Sequence, residues 1–142
     1  MRENEQQKNL QCGFWGISKN LAVPLGCGLV FLLLLKCVFF LGYVPSASME
    51  PTIRKDSFIF GFRATSDLDM GDIVVFEYNN RLMVKRIAAL AGDNVILHGK
   101  AQSIPGDSYY LLGDNPEESN DSRYWSEPFI LKTQIIAKVL LK

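Results

Sequence analysis

The sequence has little of what most catalytic sites are built from. Its 142 residues include one histidine, His98, and three cysteines, Cys12, Cys27 and Cys37, none of them beyond Ser46. No His/Cys cluster has the spacing of metal ligands, so neither a structural nor a catalytic metal is expected, and no disulfide is available after Ser46. A single histidine excludes Ser-His-Asp chemistry unless His98 itself is the base, and its place between Leu97 and Gly99 reads as a surface turn. Fifteen basic residues balance fifteen acidic ones, so no cationic field points to nucleic acid. Internal repeats and low-complexity tracts are absent as well.

What the chain has in excess is apolar residues, 48% of the whole, and the excess is local. From Leu21 to Val44 every residue is apolar, glycine or proline except Lys36. Twenty such residues in a helix cover about 30 Å, enough to cross a bilayer. Lys36 costs about 2.5 to 3.5 kcal/mol at mid-membrane, less if its stem carries the charge to the surface. The run is longer than the roughly 7 to 15 residues of a signal-peptide core, so an uncleaved anchor over residues 21–44 is expected, with a buried soluble helix as the alternative. Residues 1–20 read as a short cytoplasmic tail with little fixed structure. There Arg2, Lys8 and Lys19 outnumber Glu3 and Glu5, and Phe14, Trp15 and Ile17 suit an interface.

Residues 45–142 change character. Short β-like runs are expected at Ser57 to Phe62, Asp72 to Tyr78, Arg81 to Leu90, Asn94 to Leu97, Tyr109 to Leu112 and Gln134 to Leu141, with turns at Asn79-Asn80 and Gly92-Asp93. Gly113 through Pro128 reads as a long polar loop. The fold class is mainly β: a coiled antiparallel sheet preceded by one amino-terminal transmembrane helix.

Two features of this domain invite chemistry. Pro45-Ser46-Ala47-Ser48-Met49-Glu50-Pro51-Thr52 lies directly behind the apolar run, either as a Ser/Pro linker or as a site carrying a nucleophilic serine. Lys85 lies inside an apolar strand, between Leu82-Met83-Val84 and Arg86-Ile87. It reads as an edge-strand lysine kept for solubility, or as the base a serine needs when no histidine serves. The second role requires a pKa lowered from about 10.4 to about 7 or 8, which apolar surroundings can supply.

The octapeptide resembles the Ser-Met-x-Pro-Thr box of type I signal peptidases, membrane-anchored Ser-Lys endopeptidases. Three further blocks agree in order: Gly71 to Phe76; Val84-Lys85-Arg86-Ile87 with Gly92-Asp93; and Gly113-Asp114-Asn115 followed by Ser119, Asp121, Ser122, Arg123, Tyr124 and Trp125. The resemblance implies Ser48 as nucleophile, Lys85 as general base, and Ser46 with the Ser48 amide as oxyanion hole. It implies Ser119 as the residue that orients the lysine, and Asp114, Asp121 and Arg123 as structural support. Val44, Met49, Ile53 and Val84 would line a shallow pocket for the small residue before the cut.

The implied substrates are secretory preproteins with Ala-x-Ala signal peptides, met at a lipid surface by an extracytoplasmic domain of a single-pass protein, with no cofactor. Lysine rather than histidine at position 85 resembles the bacterial branch. Only eleven residues separate Leu97 from Tyr109, so a minimal form without the accessory β domain of larger members is expected. The chain departs from the family pattern in lacking the proline usual before Gly92-Asp93 and in having Ser126 and Ala137 where glycine is common. Two rivals stand beside this reading. A Ser-Lys self-cleaving repressor would need a DNA-binding helix pair where the apolar run lies, and a non-enzymatic tethered β module would need neither Ser48 nor Lys85.

Overall fold

The structure, a computed structural model, describes residues 3–63 and 65–140, with side chains described from Leu21 onward. The first element, α1, is a helix over Glu3–Val38 with Pro24 inside it. Its stretch Leu21–Val38 is long and apolar enough to cross a membrane. The segment expected to be an unstructured tail is helical from Glu3; the side chains of Phe14, Trp15 and Ile17 lie outside the described residues.

The anchor expected over residues 21–44 is corrected at its end. The helix stops at Val38, and Phe39–Val44 is strand β1. Composition does not mark this boundary, because Phe39, Phe40, Tyr43 and Val44 are apolar and also strand-favouring. Pairing marks it: β1 runs antiparallel to β2, Ser57–Phe62, in unbroken register from Phe39↔Phe62 to Val44↔Ser57.

The remaining strands are β3 (Ile73–Tyr78), β4 (Arg81–Ala89), β5 (Asn94–Leu97), β6 (Lys100–Ser103), β7 (Ser108–Leu112), β8 (Phe129–Leu131) and β9 (Ile135–Val139). Seven strands form one sheet in the order β1-β2-β9-β3-β4-β7-β8, while β5 and β6 form a separate hairpin. All recorded pairings are antiparallel. At the β3–β4 turn Asn79 and Asn80 have φ of 50° and 59°, the left-handed pair a two-residue hairpin requires, which asparagine tolerates. His98 (φ 51°) and Gly99 (φ 77°) make the same kind of turn between β5 and β6.

Strand β3 sets the core. Ile73, Val74, Val75 and Phe76 are all buried, as expected of a strand covered on both faces. Val75 packs with Phe40, Val44, Met49, Ile53 and Ala137. Val74 and Phe76, on the other face, pack with Ile87, Leu111, Trp125 and Ile135. The register of β3 against β9 slips between Val75↔Ala137 and Phe76↔Ile135. This bulge lets Ile135 and Ala137, two apart on one strand, serve opposite clusters.

The outer face of the β1–β2 hairpin is apolar but uncovered. Phe39, Leu41 and Tyr43 lie opposite Phe62, Phe60 and Phe58, and Leu41 and Phe58 are 71% and 73% exposed. Where β2 meets β9, a methyl group at Gly61 would lie 2.5 Å from the Lys138 carbonyl oxygen. Backbone cannot yield cheaply there, so Gly61→Ala is expected to destabilise the domain by about 1 to 3 kcal/mol. Thermal unfolding of the full chain in detergent checks this, and an unchanged midpoint would contradict the packing described.

Candidate active site

The octapeptide leaves β1 and folds back under two backbone ties, Asp56 N–H to Val44 O (2.8 Å) and Ile53 N–H to Met49 O (2.8 Å). Met49 is fully buried and Ile53 nearly so; these apolar anchors pin the loop to the core and leave Ser48 at its upper turn. A second loop, Gly113 to Asn115, clamps it from the side. The Asn115 amide donates to Ser48 O (3.1 Å) and the Asn115 side-chain amide to Ala47 O (3.2 Å). Gly113 is there because nothing larger fits: a methyl group would meet the Ser119 hydroxyl and the Ser48 carbonyl oxygen.

Lys85 enters from β4, paired with Val74 of β3. Its amine lies 2.5 Å from Ser48 Oγ, and both residues are buried, at 2% and 6% exposure. Ser46 Oγ is 3.3 Å from Ser48 Oγ. Burial pushes the Lys85 amine down to about 8; Asp121 and Asp114 oppose that shift and Arg123 adds to it. A serine hydroxyl against a lysine amine that is partly neutral near physiological pH is an arrangement able to move a proton from oxygen to nitrogen.

Two ion pairs flank the dyad. Arg86, on the opposite face of β4 from Lys85, grips Asp114 with two bonds of 2.7 and 2.6 Å and also donates to Gly71 O (2.7 Å). The Arg86 guanidinium holds the Asp114 carboxyl below the usual carboxylate range. Asp121 is fully buried. Burial alone would raise its pKa, but bonds from Arg123, the Gly113 amide and the Ser119 hydroxyl outweigh it and hold the carboxyl low.

A groove of about 540 Å³ opens at the dyad, lined by Ser46, Ser48 and Lys85 at one end and by Tyr78, Asn79 and Arg81 at the other. It exists because β7 pairs with β4 only from Arg86 onward, which leaves Arg81 to Lys85 without a neighbouring strand on that edge.

The structure therefore brings Ser46, Ser48 and Lys85 together, with Asp114, Asp121 and Arg123 beside them. It places three expected residues differently. Ser119 donates to Asp121 (2.7 Å), and no hydrogen bond joins it to Lys85 among the described residues. Met49 and Ile53 belong to the core beneath the groove, while Val44 and Val84 line its wall. Roles missed in the sequence are those of Arg86, Gly113 and Asn115. The one available signal for Arg86 was a second basic residue on the other face of an apolar strand.

Comparison with known proteins places these features in context. The family profile described as "Signal peptidase, peptidase S26" matches residues 18–101 and 97–142. A probable signal peptidase I-2 of Synechocystis sp. is 30% identical over 135 residues, covering 70% of this chain and 61% of its own length. Signal peptidase I of Pseudomonas aeruginosa is 26% identical over 159 residues, 63% of this chain and 56% of its own. Signal peptidase I of Bacillus amyloliquefaciens is 30% identical over 131 residues, 66% and 71% respectively. The chain thus spans about three fifths of the length of the first two relatives.

The buried amine has a consequence for stability. A lysine that titrates at about 8 when folded, from 10.5 in the free residue, binds fewer protons folded than unfolded between those values. Stability therefore rises with pH across that window, by an amount on the order of 3 kcal/mol. Lys85→Met, which keeps the stem and removes the charge, is expected to unfold at a higher temperature than wild type at pH 7, the gap closing toward pH 10.5. Melting curves across pH test this; a gap that widens with pH would show that the amine is not desolvated.

Proposed function

The chain belongs to the signal peptidase, peptidase S26, family, and from that premise we propose that it is a membrane-bound serine endopeptidase that removes amino-terminal signal peptides from exported preproteins. The observation that carries the reading is the Ser48–Lys85 contact at the end of a groove with an unpaired strand edge. An extended preprotein segment adds to the free edge of β4 by main-chain hydrogen bonds. Small residues one and three positions before the cut face Val44 and Val84, where larger side chains are excluded by overpacking. This is Ala-x-Ala specificity.

The neutral Lys85 amine takes the proton of the Ser48 hydroxyl as its oxygen attacks the scissile carbonyl carbon. The Ser46 hydroxyl and the Ser48 amide, which has no acceptor among the described residues, donate to the developing oxyanion; one such donor is worth about 2.7 to 4 kcal/mol in the transition state. The ammonium then protonates the leaving amine, which departs as the new amino terminus of the mature protein. Water, deprotonated by the regenerated amine, hydrolyses the acyl ester and frees Ser48. Ser119, Asp114, Asp121 and Arg123 hold the surrounding loops and touch no reacting atom.

The helix anchors the chain in the membrane, with the amino terminus cytoplasmic and the β domain extracytoplasmic. The apolar outer face of β1 and β2 rests against lipid, the solvent that suits its four exposed large side chains, Leu41, Tyr43, Phe58 and Phe60. Enzyme and tethered preprotein then share one plane, which raises their effective concentration.

Ser48→Ala and Lys85→Ala are each expected to lower cleavage of an Ala-x-Ala preprotein by roughly 10³-fold or more while the domain stays folded. Wild-type-like cleavage by either variant would sink the mechanism. Because the active base is the neutral amine, kcat/KM is expected to climb with pH and level off above about 8; a flat profile from about pH 6 to about pH 9, a range that brackets that ionisation, would argue for another base. For the lipid contact, Phe58→Trp in liposomes of brominated phospholipid, on a Trp15→Phe background, should be quenched well beyond Leu131→Trp on the far strand β8. Equal quenching would place the β1–β2 face in water.

A further inference from the structure

The groove carries charge of one sign only. Of the residues that line it, Lys85 and Arg81 are the charged ones, and no carboxylate is among them. Lys85 is the base at the dyad end; Arg81 stands at the other end, where β4 leaves the Asn79-Asn80 turn. The ion pairs among the described residues are Arg86–Asp114, Arg123–Asp121 and Lys138–Asp72, so Arg81 has no carboxylate partner among them. Glu77, the acid nearest to it in sequence, pairs opposite Leu82. Side chains alternate along a strand, which puts Glu77 on the other face of the sheet from Arg81.

The backbone that carries Arg81 is held in place. Its partner across the hairpin is Tyr78, whose ring stacks on Trp125 with centroids 4.3 Å apart and planes at 19°. Arg81 shares its face of β4 with Met83, which packs toward the Phe76 and Trp125 cluster, whereas Val84 packs toward the cluster of Val44 and Met49. An extended peptide alternates in the same way and rises by about 3.3 Å per residue. With its scissile carbonyl at Ser48, a peptide running along the groove toward Arg81 therefore keeps step with β4. Residues one and three before the cut face the side of Val44 and Val84, and residues two and four face the side of Met83 and Arg81. From Lys85 back to Arg81 the strand covers about 13 Å. The fourth residue comes within side-chain reach of that end, and the second does not.

We propose that Arg81 reads the charge of the fourth residue before the cut, favouring aspartate or glutamate there and rejecting lysine or arginine. The inference rests on the peptidase reading above and names a class of preprotein within it. A guanidinium without a protein acceptor donates two parallel bonds to a carboxylate. A basic side chain at the same place meets like charge, with no acid in the groove to offset it. Arg81 touches no reacting atom; it acts on which segment the groove accepts.

The test is cleavage, by the full chain reconstituted in zwitterionic lipid, of preproteins differing only at the fourth residue before the cut (Glu, Gln, Lys). At low ionic strength Glu is expected to exceed Lys by about tenfold in kcat/KM, with Gln between them. Arg81→Gln is expected to bring that ratio to within about twofold, Arg81→Lys to keep most of it, and Arg81→Glu to reverse it. Salt raised to about 0.5 M should shrink the wild-type ratio, because screening acts on charge and not on shape. Moved to the fifth position, where alternation turns the side chain toward Leu82, the same substitutions should give a clearly smaller ratio. Equal cleavage of the Glu and Lys substrates, a preference that Arg81→Glu leaves unmoved, or an equal effect at the fifth position overturns the assignment while the peptidase reading stands. Absence of cleavage of every substrate by the wild type overturns the peptidase reading and this inference with it.

Discussion

A lysine amine held almost entirely out of water against a serine hydroxyl is the constraint around which the β domain is arranged. Burial disfavours the ammonium, but two carboxylates, Asp114 and Asp121, stand close enough to restore it. Each is instead occupied by its own arginine, Asp114 by Arg86 and Asp121 by Arg123. Without those partners the carboxylates would act on Lys85 at full strength, and a low-dielectric surrounding would magnify that effect. The ion pairs thus do more than tie loops together: they leave desolvation as the dominant influence on the amine, which a neutral base in the proposed mechanism requires.

The same strand that holds the amine also leaves the open edge along the groove. Strand β4 is nine residues long, but β7 covers its outer edge only from Arg86. One step earlier in the chain is Lys85. Paired backbone therefore fixes the lysine on the β3 side, while unpaired backbone begins at the same point on the other. Free strand edges invite unwanted pairing and are normally kept short or charged. This one is short, carries Arg81 at its exposed end, and has the dyad at its buried end.

Much of this was legible in the sequence, and the failures have physical causes. Strands β2 and β5 were read with their observed bounds, and β3, β4, β7 and β9 to within a residue or two, because apolar residues are framed by Asn79-Asn80, Gly92-Asp93 and other turn residues. Strand β6 was missed because Lys100 to Ser103 is exposed throughout and has no alternation to detect; only the His98-Gly99 turn betrays the hairpin. Strand β1 was absorbed into the membrane run because lipid and a protein core select the same residues. The proximity of Ser48 and Lys85, thirty-seven positions apart, was suggested by family resemblance and by the lack of a better base, not by any local pattern. Local pattern also could not tell that Ser119 turns to Asp121, since a loop hydroxyl takes whichever acceptor the fold offers.

Strand β1 joins the two environments the proposed function needs. Its inward residues Phe40 and Val44 are buried, and Val44 reaches the groove wall; its outward residues Leu41 and Tyr43 are exposed beside Phe58 and Phe60. Tyr43 belongs to both surfaces, since it lines the groove as well, and its hydroxyl is satisfied by Asp56 at 2.6 Å. That bond supplies the polar end of an otherwise apolar ring with a partner, as a residue at a lipid–water boundary needs. In the proposed function, a strand with one face toward lipid and the other toward the scissile segment would place the groove entrance at that boundary. On that proposal a signal peptide leaving the bilayer would meet Val44 and Ser48 without first crossing open water, through the two-residue period of one strand.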